Sequence, residues 1–315
     1  MIEAVMLWNE PNNLSHWDFH EDPEWKIFAE MTLRAAAEIR RHNPAMKLVL
    51  GGISPVDAGF IRHLDHLGVI EAMDVVAIHG FPLDWNHWPI HDWPRQVKTI
   101  EDACGKPVWV TEAGASSFGA EEVQVFGLHQ TARHLLGHVA RIHWYSLLDL
   151  PPGWDAATRH KESEGSAYYR HYYMGLVRAS GGLKLAYQHF PAGMGICQWF
   201  HFEDPRLGPA AERLRELGVK HLRTGLSWAD WFRPRAEAWF DRQVRALEEF
   251  ELTLTLCFTP EHLGRQPHHT SPPRRPEDFA AFAGWVAERY LSPARKQIEA
   301  HGPQTPEFIE AGAHV

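Results

Sequence analysis

The stretch "AVMLWNEPNN", Ala4 to Asn13, sets a carboxylate between an apolar run and a proline. An apolar run that ends in polar residues reads as a buried strand whose tip opens onto a site. Seven more runs of this kind follow, at residues 47–51, 74–79, 107–111, 140–147, 194–200, 221–226 and 252–258. With residues 4–8 they make eight. They are short, rich in Val, Ile, Leu and aromatics, and they do not alternate cleanly, the pattern of parallel strands buried on both faces.

Amphipathic segments separate the runs, among them residues 25–41, 119–138, 207–217 and 239–250, and a helix opened by Pro276. Gly218 supplies a C-terminal stop after "AERLREL". Strand and helix alternating eight times predict an α/β fold of the (β/α)8 TIM-barrel type in preference to an open doubly wound sheet. No linker divides the chain, so residues 1–291 read as one catalytic-sized barrel. Residues 292–315 turn polar with scattered prolines and read as a C-terminal tail of unassigned order.

Composition narrows the function classes. At 315 residues, 44% hydrophobic and 23% charged, the chain is globular. Its net charge of −9 and the lack of a Lys/Arg stripe exclude nucleic acid as an expected partner. Cys104, Cys197 and Cys257 are odd in number and far apart, which fits buried thiols in a reducing compartment rather than a disulfide framework. No signal-like N-terminus and no apolar stretch of about 18 residues is visible, so neither secretion nor a membrane span is indicated and the cytoplasm is the expected location. Fourteen Trp and 22 His suit a pocket, because aromatic faces stack on the C–H faces of sugars; aromatic core packing is the competing reading.

In such barrels chemistry sits at the C-terminal ends of the strands. The residues there are Asn9 and Glu10, Ser54, His79, Glu112, Trp144 and Tyr145, His201, Arg223 through Trp228, and Thr259. Two carboxylates at strand ends, Glu10 and Glu112, amid Trp, His, Asn and Arg, suit glycoside hydrolysis: one carboxyl protonates the leaving oxygen and the other attacks or activates water.

Two motifs sharpen this. "WNEP", Trp8 to Pro11, and "VWVTEAG", Val108 to Gly114, resemble the signatures of clan A of the glycoside hydrolases, retaining β-glycosidases on (β/α)8 barrels. The resemblance implies Glu10 as general acid/base on the clan's fourth strand and Glu112 as nucleophile on its seventh. Two strand runs lie between them, as those positions require. "VAIHGFP" is similar to the sixth strand, with His79 near the nucleophile, and "ARIHWYSLLDL" to the eighth, whose tryptophan, here Trp144, would form the floor of the sugar subsite. "GMGICQWFHF", "HLRTGLSWADW" and "LTLTLCFTP" resemble the first, second and third strands, with Arg223 beside the nucleophile. Family members run from first to eighth; here the fourth to eighth come first, within residues 1–180, and the first to third follow in 192–291. The resemblance therefore implies a circularly permuted barrel, joined near residues 180–191, "SGGLKLAYQHFP". A closed sheet has no edge, so such a cut leaves every strand paired.

A retaining mechanism needs carboxyl groups about 5–5.5 Å apart. Ionised Glu112 is expected to keep Glu10 protonated until the sugar esterifies Glu112. Arg223 would hold Glu112 ionised, unless it serves as a structural ion pair. Asn9 would bind a sugar hydroxyl, its alternative being a turn before Pro11. Trp144 and Trp228 are expected at the barrel mouth. His79, His201, His268 and His269 are pocket candidates that could equally be structural. The segment 83–94, "LDWNHWPIHDWP", is expected to wall the pocket. No cofactor and no metal is expected, and the expected partner is a glycoside or oligosaccharide. The Asn-Glu-Pro-Asn and His-Gly-Phe contexts resemble the β-xylosidase and α-iduronidase type; oligomeric state is not legible. Two rivals stand beside this reading. One is a carbohydrate-binding barrel without activity. The other is a metal-dependent hydrolase using His63/His66 or His129/His134/His138, which lacks a Glu between the last pair and would place its ligands on outer helices.

Overall fold

The computed structural model describes residues 1–154 and 165–291. Eight parallel strands close into a barrel in chain order. They are β1 (Ile2–Leu7), β2 (Lys47–Ile53), β3 (Val75–Gly80), β4 (Val108–Ala113), β5 (Ile142–Tyr145), β6 (Gly195–Cys197), β7 (His221–Ser227) and β8 (Glu251–Cys257). Every expected run is a strand, and the sheet is the TIM barrel that the alternation predicted. The expected tail at 292–315 lies outside the described residues. Among the described residues no helix is long and apolar enough to cross a membrane.

Closure joins the two ends of the sequence. Ile2 pairs with Leu252 and Leu7 with Leu256, and the Met1 ammonium donates to the Phe250 carbonyl at 2.6 Å. The helices α1 (Lys26–His42), α2 (Ala58–His66), α3 (Val69–Ala72), α4 (Trp93–Cys104), α5 (Glu121–Leu135), α8 (Leu207–Glu216), α9 (Ala236–Ala246) and α10 (Pro276–Val286) surround it. Residues such as Leu7, Leu48, Val110 and Ile196 face them from the outer side of the sheet, each removed from water at a gain of about 1.5–3 kcal/mol. α2 is capped by Asp57, whose carboxylate accepts from the Gly59 and Phe60 N–H groups.

The β5–β6 connection departs from expectation. Among its described residues are only short pieces: α6 (Gly165–Arg170), a 3-10 turn at His171–Tyr173 and α7 (Leu185–Gln188). Pro151, Pro152, Gly175, Gly181 and Gly182 interrupt any continuous apolar stripe there. A buried ion pair fixes this link instead. Lys184 donates to Asp149 at 2.6 Å, and the same carboxylate oxygen accepts from the Gly175 N–H at 2.9 Å. Removing either partner would leave an unpaired buried charge, at a cost of about 3–5 kcal/mol. α5 is also shorter than expected, so His138 lies beyond its end and does not share a helical face with His134.

Inside the barrel, Ala4, Met6, Val49, Val75, Ala77 and Trp109 form an apolar plug. Lys47 and Arg141 lie over the Trp109 ring at 5.2 and 5.5 Å, and Arg141 pairs with Glu3 at 2.5 Å. This closes the end opposite the site. His143 also points inward: a Cβ on Gly195 would stand 2.9 Å from its ring. Burial, then the positive charge of Arg223, hold its imidazole well below the usual histidine range. The folded chain therefore keeps His143 neutral where the unfolded chain protonates it, and its contribution to stability is complete above about pH 6.5 and is lost as pH falls below that. Urea unfolding at pH 7.5 and 5.5 is expected to show a smaller acid loss for His143→Gln than for the parent chain; equal losses would remove His143 from the cause.

Candidate active site

The tip of β1 is built by aromatic packing. Trp8 lies edge-on to Trp17 at 5.1 Å and to Phe279 of α10 at 5.8 Å, and its indole N–H donates to the His16 carbonyl at 3.1 Å. Trp8 and Glu10 both have left-handed φ, 68° and 43°. Such conformations cost about 1–3 kcal/mol each and persist where packing over-determines them. The result turns the Glu10 carboxylate into the barrel mouth, where it is 4% exposed.

Both of its oxygens have partners. Oε1 lies 2.6 Å from His79 Nδ1, while Oε2 accepts from Asn13 Nδ2 at 2.9 Å and lies 3.2 Å from His16 Nδ1. His79 is wholly buried, and its Nε2 meets the Thr111 hydroxyl at 3.0 Å. Whichever nitrogen carries the imidazole hydrogen, the Glu10–His79 pair holds a proton across the 2.6 Å contact. The ring crosses β2 at Gly52, where a Cβ would stand 1.9 Å from Nε2. Only glycine leaves this room.

Glu112, at the end of β4, lies 3.7 Å from the same His79 nitrogen. Glu10, His79 and Glu112 each bring an atom within 4.8 Å of the other two. On the far side stands Arg223 from β7. Its Nη1 donates to Glu112 Oε1 and to Cys197 Sγ, the latter at 3.1 Å; Nη2 donates to Asn9 Oδ1 at 2.5 Å, and Nε to the Thr255 hydroxyl at 3.1 Å. Burial alone would raise the Glu112 carboxyl, but His79 and Arg223 outweigh it and hold it below the usual range. Burial pushes the Cys197 thiol up to about 12, so this group stays protonated against Glu112. Glu10, His79 and Glu112 offer a metal-type donor set, yet the guanidinium already supplies a cation to Glu112, which opposes a second one.

The other expected residues divide. Asn9, His79 and Arg223 join the carboxylates, and His269 approaches them through His16. Burial, then the neighbouring His16 and His268, bring its pKa down to about 4. His268 ties two loops, with Nδ1 at 3.0 Å from the Thr270 hydroxyl and Nε2 at 3.5 Å from Asp18. His201 is exposed on the loop after β6, facing Asp204 and Asp230.

Two expectations are corrected. Trp144 and Trp228 have no exposed surface and belong to the outer apolar layer, Trp228 packing 5.3 Å from Phe279. Neither ring has a face to offer a sugar. The strand register gives the reason. Trp144 aligns with Ala113 and Ile196, which point outward, whereas Tyr145 aligns with Cys197, and Cys197 with Arg223, which point inward. Tyr145 is therefore the half-buried aromatic on the carboxylate side. The sequence reading also passed over Asn13, His16, Thr111, Cys197 and Trp199. The Trp199 ring lies over β7 where a Cβ on Gly225 would stand 1.8 Å away, and it meets Phe258 at 5.2 Å. A glycine at an inward strand position was the available signal.

No family model matches the sequence, and no curated protein matches it. Among solved structures the chain is similar to a GH128 subgroup I endo-β-1,3-glucanase from Amycolatopsis mediterranei, with 13% identity over 55% of this chain and 73% of that one and a TM-score of 0.31. It is similar to an endo-β-1,4-glucanase from Xanthomonas axonopodis pv. citri at 12% identity over 92% and 99% of the two chains, with a TM-score of 0.41. An endo-β-1,4-mannanase from Thermotoga petrophila aligns at 13% identity over 54% of this chain and 42% of its own, with a TM-score of 0.27. At these values the likenesses carry no argument about activity.

Gly52→Ala is expected to displace His79 from Glu10 while the barrel stays folded, so that any turnover falls at least about tenfold with unchanged far-UV circular dichroism. Unchanged turnover would show that His79 does not position Glu10.

Proposed function

We propose that this chain is a retaining β-glycoside hydrolase acting through a glycosyl-enzyme intermediate, with Glu112 as nucleophile and Glu10 as general acid/base. One observation carries the reading: two glutamates at the C-terminal ends of β1 and β4 reach within 4.8 Å of each other across His79, with a guanidinium bonded to one of them. Carboxyl oxygens this near one another are compatible with direct attack by a carboxylate.

In this mechanism Glu112 attacks the anomeric carbon while Glu10 passes its proton to the leaving oxygen. Esterification removes the charge of Glu112, so Glu10 then takes a proton from the incoming water, and the sugar leaves with its original configuration. Asn9 turns its carbonyl oxygen to Arg223, which directs its amide N–H toward a sugar hydroxyl. We further propose that the barrel is circularly permuted, β1–β5 standing for the fourth to eighth strands of clan A and β6–β8 for the first to third. The placement of Arg223, Asn9 and both glutamates around one mouth supports it.

Aryl β-xyloside, glucoside, galactoside and mannoside, offered to the parent chain and to Glu112→Ala with and without azide, test the assignment. One aryl glycoside is expected to turn over. Glu112→Ala should lose at least about 10³-fold, and azide should restore a glycosyl azide of inverted configuration. Turnover surviving in Glu112→Ala would overturn the nucleophile assignment.

A further inference from the structure

We infer that Cys197 is a positioning residue for the proposed nucleophile: together with Arg223 it occupies Glu112 Oε1 and so leaves Oε2 as the oxygen that attacks. The inference deepens the glycosidase reading and rests on it for the role of Glu112. β6 is three residues long and ends at Cys197, which is 5% exposed and in register with Tyr145 on one side and Arg223 on the other. Its Sγ lies 3.1 Å from Arg223 Nη1 and 3.9 Å from Glu112 Oε1, and the same Nη1 donates to that oxygen. Three atoms from β4, β6 and β7 thus close a triangle. Chemistry fixes its hydrogen-bond directions. A guanidinium can only donate and an ionised carboxylate can only accept, so the thiol accepts from Arg223 and donates its own hydrogen to Glu112.

The two oxygens of Glu112 therefore have different surroundings. Oε1 holds an N–H and an S–H, whereas Oε2 faces His79 Nδ1 at 3.7 Å, the nitrogen that lies 2.6 Å from Glu10 Oε1. In a double displacement the anomeric carbon stands between the two carboxyl groups, so the oxygen on the Glu10 side is the one that reaches it. The terminal torsion of a glutamate is broad and roughly two-fold. Two donors on one oxygen, from different strands, narrow it. Arg223 is itself held by Asn9 at 2.5 Å and by Thr255 at 3.1 Å, so Nη1 does not follow a turning carboxylate. Alanine at position 197 would keep neither thiol contact. Serine would keep the same donor and acceptor chemistry on a shorter bond. An S–H donor to the charged form also favours that form, which adds to the work of Arg223 in holding Glu112 ionised.

Infrared spectroscopy reads the contact without any substrate. The S–H stretching band that disappears in Cys197→Ala and in Cys197→Ser is expected to move to higher frequency in Glu112→Gln, which keeps the shape of the side chain but removes the charge that accepts the S–H. On the aryl glycoside that turns over, the acidic limb of the kcat/KM profile reports Glu112 in the free enzyme. Cys197→Ala removes a donor to the charged carboxylate, so that limb should rise by about half a pH unit to one unit, with kcat/KM at its optimum down about threefold to tenfold. Cys197→Ser should restore most of both. A band indifferent to Glu112→Gln, a limb unmoved in Cys197→Ala, or a serine variant no better than alanine would each overturn the role of Cys197 and leave the nucleophile assignment standing. The band shift without turnover of any aryl glycoside would overturn the catalytic reading, and with it the positioning role, and keep only the contact.

Discussion

The site depends on one buried guanidinium. Arg223 is 3% exposed, and a charge taken out of water at that depth is tolerable only if its N–H groups find partners. It finds them on four other strands: Glu112 of β4, Cys197 of β6, Thr255 of β8 and Asn9 just beyond β1. This requirement fixes where the tips of those strands stand relative to one another. It also keeps Glu112 ionised inside an environment that would otherwise protonate it. The electrostatic need of the guanidinium and the position of the Glu112 carboxylate are met by the same contact.

His79 does the complementary work across the mouth. Lying between Glu10 and Glu112, it separates two carboxyl groups that would repel as a bare pair, and it offers Glu10 a proton partner. Space for its ring comes from Gly52, as space for the Trp199 ring comes from Gly225. The site is therefore specified as much by two missing Cβ atoms as by the charged groups. The ring of contacts on Glu10, from Asn13 and His16, follows from the tight turn after a residue held at positive φ.

Much of this was legible in the sequence. The eight strands are local signals, short apolar runs with β-branched residues, and all eight were read within a few residues of their ends. Glu10, Glu112, Asn9, His79 and Arg223 could also be singled out as strand-end residues, and the structure brings their side chains to one mouth. Helix ends were less legible, as at His138, and among the described residues of the β5–β6 link the helical pieces are short, interrupted by glycines and prolines and held by Lys184 and Asp149.

The sequence by itself determined the alternation of elements and the residue types at each strand tip, since both arise from patterns a few residues long. Tertiary structure decided which face each tip residue shows. Trp144 and Tyr145 are neighbours in sequence, and only the register of β5 between β4 and β6 sends the first outward into the apolar layer and the second inward toward Arg223. A one-residue change of register would exchange them, because side chains along a strand alternate. Likewise Cys197 stands far from Glu112 in the chain and carries no distinctive motif; its Sγ lies 3.9 Å from that carboxylate because the closed sheet brings the tips of β4 and β6 to one mouth.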